Sequence, residues 1–90
     1  SFLIKVRKQY NAVYISGYFN TTVAANRNDL LFTISGLTFL DANDHFYATI
    51  MSSTGVILFT EIFSDGTVKL ASEATMPAAY YVIEAVLLAE

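Results

Sequence analysis

Cysteine and tryptophan are absent from this 90-residue chain, and proline and histidine each occur once. Without cysteine there is no disulfide framework, no thiolate nucleophile and no thiolate zinc site, and the redox compartment stays open. A single histidine, His45, excludes a histidine-based metal cage. A serine–histidine–aspartate triad would have to be built on it, and no Gly-x-Ser-x-Gly elbow is present to carry the serine. Charge is scarce too: 14% of the residues are charged and 54% are hydrophobic. Five basic against eight acidic residues leave a net charge of −3, which gives little attraction for nucleic acid. The longest apolar run, Ala78 to Ala89, contains Glu84 and is well short of the roughly 20 residues of a spanning helix, so no membrane insertion is expected. No signal peptide is visible. The chain begins at Ser1, without methionine, in what reads as a strand, and the expectation is one domain over residues 1–90 cut from a longer protein.

What the chain does have is β pattern. Val56 to Phe63 is rich in β-branched and aromatic residues and is followed at once by Ser64-Asp65-Gly66, a strong turn signal. A two-residue Asp65-Gly66 loop would set Ile62 against Lys69 and Glu61 against Leu70. A three-residue loop, with Gly66 in the left-handed region that its missing Cβ permits, sets Ile62 against Val68 and Glu61 against Lys69. The second register pairs like with like and is the one predicted. Along that strand Val56, Leu58, Thr60 and Ile62 share one face and Ile57, Phe59, Glu61 and Phe63 the other.

In chain order, Phe2 to Arg7 alternates as a strand, Lys8 to Asn11 forms a turn, and Ala12 to Phe19 is a second strand interrupted by Gly17, which marks a bulge or a close backbone approach. Asn20 to Asp29 is a polar loop in which Thr22-Val23-Ala24 could pair briefly. Leu30 to Ile34 resumes the β pattern, and a loop follows whose Leu37, Phe39 and Leu40 should pack down. His45 to Met51 is a strand and Ser52 to Gly55 its turn. After the central hairpin, Ala71 to Ala78 connects to a final strand, Tyr80 to Ala89, apolar on both faces and expected to be covered on both. Seven or eight short antiparallel strands, with no internal repeat or amphipathic helix, indicate a single small all-β domain, a jelly-roll-like barrel or sandwich. So few polar side chains cannot cover so small a domain, and a second copy of the chain is the simplest additional cover.

Several segments together resemble a family. They are the basic first strand, Val13-Tyr14-Ile15-Ser16-Gly17, Thr21 to Ala25, Leu31-Phe32-Thr33-Ile34, Phe46-Tyr47-Ala48 and Asp65-Gly66-Thr67-Val68-Lys69-Leu70. In this order they are similar to the C-terminal head domains of tail-tip receptor-binding proteins from phages of lactococci and related Gram-positive hosts. The resemblance spans nearly the whole chain. It implies a compact β-barrel head, homotrimeric at the tip of a tail or baseplate of the virion, that binds host cell-surface polysaccharide without chemistry.

Asp41 and Asp44 could form the carboxylate pair of a glycoside hydrolase, but three apart in a loop they read better as turn formers, and no enzyme is expected. Saccharides are held by planar hydrogen-bonding groups and an aromatic face, and without tryptophan the face must come from tyrosine. Asp41, Asn43, Asp44 and His45 gather at a loop-to-strand junction with Tyr47 two residues on, and they form the expected saccharide site. Arg27, in an asparagine-rich loop, is the candidate for an anionic group. Tyr10, Tyr14, Tyr18, Tyr80 and Tyr81 serve strands and interfaces equally well. No cofactor or metal is expected. Two other functions suit the same architecture: a trimeric knob that registers and caps a fibre, and a trimeric ligand for a protein receptor.

Overall fold

A computed structural model describes residues 2–10, 12–35, 37 and 45–88. The period-two segments form seven strands: β1 Phe2–Gln9, β2 Ala12–Asn20, β3 Leu30–Thr33, β4 His45–Ser52, β5 Ile57–Phe63, β6 Thr67–Leu70 and β7 Tyr80–Leu88. All lie antiparallel in one sheet in the order β1-β2-β7-β4-β5-β6-β3, with no helix among the described residues. The sheet curls into a half-barrel. Its inner face is the core, which includes Val13, Ile15, Ile50, Ile62, Val68, Met76 and Tyr81. The curl brings the two edges together at one end, where Phe2 of β1 meets the edge of the Phe32 ring in β3 with centroids 5.5 Å apart.

The central hairpin has the predicted register. Ile62 pairs with Val68 and Glu61 with Lys69, and Gly66 takes φ +91°. A Cβ on Gly66 would lie 1.9 Å from the Ile34 carbonyl oxygen, so glycine is needed there for space as well as for φ. Asp65 holds this turn by accepting from the Thr67 backbone N–H at 3.0 Å and from its hydroxyl at 2.7 Å. Those two bonds, the backbone one first, pull its pKa below the ordinary aspartate value.

Gly17 marks a close approach rather than a bulge. The registers of β2 with β1 and with β7 run through it unbroken, and a Cβ there would sit 1.9 Å from the Leu3 carbonyl oxygen. The first turn is tighter than predicted, because Gln9 pairs directly with Ala12. The loop after β2 pairs at Ala25 with Met76 in place of the expected Thr22-Val23-Ala24 pairing. It is tied along the β6–β7 connection by backbone bonds from Thr21 to Ala79, between Ala25 and Met76 in both directions, and from Asn28 to Leu70. The two long connections thus close one end of the core together. Leu37 is buried as predicted, whereas Phe39 and Leu40 lie outside the described residues.

Strand β7 corrects one expectation. Its Tyr81, Ile83 and Leu87 are core, but Val82 and Val86 are 44% and 57% exposed. A single curled sheet has an inside to fill, and among the described residues no second layer lies over its outside, so there the strand is covered on one face only. The same holds for β5, where Leu58, Thr60 and Ile62 are buried and Ile57 and Phe59 are exposed.

Candidate functional site

Strand pairing sorts the outer face into bands running across the sheet. Leu3, Tyr18, Val82, Met51 and Ile57 stand opposite one another on β1, β2, β7, β4 and β5 and make an apolar band. Beside it Tyr18 stacks on Tyr80 with centroids 5.3 Å apart, and burial, with Tyr18 second, pushes the Tyr80 phenol pKa up. Towards the other end of β4 and β5 the side chains become polar and aromatic, and there the sequence-predicted His45 and Tyr47 lie.

The period of two puts His45 and Tyr47 on the same outer face of β4. Across the ladder His45 faces Phe63 and Tyr47 faces Glu61, and one strand further Glu61 faces Lys69. The side chains use this arrangement. His45 Nδ1 meets the Glu61 carboxylate, an acceptor-only group that places the proton on Nδ1. The imidazole stacks at 17° on the Phe63 ring, and the Lys69 ammonium lies 5.3 Å from that ring's centroid. The His45 and Tyr47 ring centroids are 5.8 Å apart. Tyr47 itself is 63% exposed.

The result is a small surface with an exposed phenol ring, a carboxylate oriented by an imidazole, and an ammonium held by an aromatic ring. Chemically it can stack on an apolar ring face and exchange hydrogen bonds with hydroxyls around it. No group of three or more metal-binding side chains occurs among the described residues.

The structure brings together two of the six sequence-predicted site residues, His45 and Tyr47. Asp41, Asn43 and Asp44 lie outside the described residues. Arg27 stands at the far end of β6, in the loop whose Asn28 bonds to Leu70, and its guanidinium pairs with Glu73 at 3.2 Å. Both partners of that pair are well exposed, so it contributes little stability. Glu61, Phe63 and Lys69 were missed as site residues. The Glu61–Lys69 pairing was legible from the hairpin; the step that joins it to His45 is the β4–β5 register, fixed by the Ser52–Val56 turn. Neither a protein-family model nor a curated protein matches this chain.

Proposed function

We propose that this chain is a non-catalytic saccharide-binding head and that its sugar lies against Tyr47. The observation that carries this reading is the exposed Tyr47 ring flanked by the His45–Glu61 pair and, beyond it, by Lys69. An aromatic face with planar hydrogen-bonding groups at its rim is what a pyranose ring recognises. Asp41, Asn43 and Asp44, which the sequence reading assigns to the same site, immediately precede His45 in the chain. In the setting implied by the resemblance to phage receptor-binding heads, the domain sits at the tail tip or baseplate. There, several copies engage polysaccharide on a Gram-positive cell wall. Weak single sites suffice for that job, since simultaneous engagement multiplies them.

The apolar outer band supports assembly into a homotrimer, and equally supports a second reading, a structural knob whose only partner is itself. One experiment separates these. Host-cell adsorption and cell-wall polysaccharide titration are measured for the assembled protein and for Tyr47→Ala and Glu61→Gln. Under the saccharide reading each variant keeps its mass and loses about fivefold in affinity per site. Undiminished adsorption by both variants removes the sugar from Tyr47. An assembled wild type that binds no host polysaccharide favours the knob.

A further inference from the structure

On the outer face of β1, β2 and β7, a cavity of about 350 Å³ is lined by residues that include Lys5, Arg7, Tyr14, Ser16, Glu84 and Val86. The strand register explains its chemistry. Lys5, Ser16 and Glu84 form one cross-strand row and Arg7, Tyr14 and Val86 the next. Lys5 and Glu84 therefore flank Ser16 from opposite sides, with Cα atoms about 10 Å apart at two strand spacings. Side chains of that length could meet above Ser16, yet neither belongs to an ion pair among the described residues. The Arg7 guanidinium lies over the Tyr14 ring at 4.8 Å, a cation–π contact that uses its charge and makes no hydrogen bond with its N–H groups. Two cations thus stand at the β1 wall, one carboxylate at the β7 wall, and a hydroxyl lies between them.

We propose that this cavity binds a small dipolar molecule, with a carboxylate or phosphate held by Lys5 and Arg7 and an ammonium held by Glu84. A wholly anionic ligand would meet the Glu84 carboxylate, and a simple amine would meet two cations, so only a ligand carrying both charges satisfies the row. The volume suits a molecule of a few residues' size or less. Ser16 supplies a hydrogen bond to its middle, and Tyr14 with Val86 an apolar wall. In a chain of net charge −3 this is a local excess of positive charge, which favours ligands whose anionic end enters first.

The test is an NMR titration that follows the amides of Tyr14, Ser16 and Ala85 in the full chain. The probes are diglycine, phosphoethanolamine, N-acetyldiglycine and ethylamine. Diglycine and phosphoethanolamine distinguish the carboxylate from the phosphate form, and saturable shifts with at least one of them are expected. Blocking the amine in N-acetyldiglycine should weaken diglycine binding about fivefold, as expected for one exposed charge contact. Glu84→Gln should abolish that difference, and Lys5→Ala should weaken both dipolar probes. Equal binding of N-acetyldiglycine and diglycine, tighter binding of ethylamine, or no saturable shift with either dipolar probe overturns the proposal. So does a Lys5→Ala variant whose only change is in oligomeric mass, because these charges would then belong to a contact between copies. Adsorption through Tyr47 does not enter this measurement, so the two sites stand or fall separately.

Discussion

Glu61 stands directly opposite Tyr47 on the neighbouring strand but directs its carboxylate diagonally to His45, two residues away along β4. Diagonal neighbours on an antiparallel ladder lie within reach of long side chains. The diagonal pairing turns the Glu61 carboxylate away from the Tyr47 ring, which is 63% exposed. A direct Glu61–Tyr47 bond would have used the phenol and left the imidazole unoriented.

Gly17→Ala should destabilise the fold by roughly 2–4 kcal/mol, because the added methyl falls on the backbone of β1 rather than on a side chain that can turn away. The strand pair must part to admit it. Urea denaturation reads the loss, and a change below about 0.5 kcal/mol would show that β1 can move without cost.

Leu87→Asp and Val82→Asp should separate folding from assembly. Leu87 is core, 2% exposed, so a carboxylate there is buried without a partner and should prevent folding. Val82 lies in the apolar band, and a charge there should leave the circular dichroism spectrum and the melting temperature of the single chain unchanged. Its mass by light scattering should nevertheless fall to that of one chain. If Val82→Asp keeps an oligomeric mass, the band is not the contact between copies.

Asp65 should make stability depend on acid. Its carboxyl pKa is lowered in the folded chain by the Thr67 bonds. The folded state therefore binds this proton less readily than the unfolded state, and the contribution is present above the ordinary aspartate value of 3.8. It is lost as pH falls below 3.8 and through the lowered folded value. In Asp65→Asn no such proton exists. The melting temperatures of the two proteins should differ most at about pH 6 and converge under acid; a gap that stays constant would mean that the Thr67 bonds do not depend on the carboxylate.

Much of the fold was legible because the period of two is local. The β5–β6 register followed from Ile62, Glu61, Val68 and Lys69 alone, and each strand was located to within a few residues. The sheet order was not legible. Nothing in Tyr80 to Leu88 says that this strand lies between β2 and β4, because that choice is made by core packing among Ile15, Ile83 and Ile50, which are far apart in sequence. The same distance hid part of the candidate site. His45 and Tyr47 were visible because they are two residues apart. Glu61, Phe63 and Lys69 join them only through strand pairing. The outer apolar band was read as burial because apolarity in a sequence records a preference for cover and not where that cover comes from.

The position of β7 also has a consequence for the order in which the molecule forms. The β1–β2 hairpin and the β4–β5–β6 meander are each closed by short turns and can form early. Among the described strands the two are paired with each other only through β7, which lies against β2 on one side and β4 on the other. Closing those long loops is the slow step of such a topology. Ile83→Val, at the junction of both pairings, is expected to slow refolding in stopped-flow measurements more than it speeds unfolding; the opposite partition would place β7 after the barrier. Until β7 is made, a nascent chain would hold two unjoined half-sheets, each with an open edge.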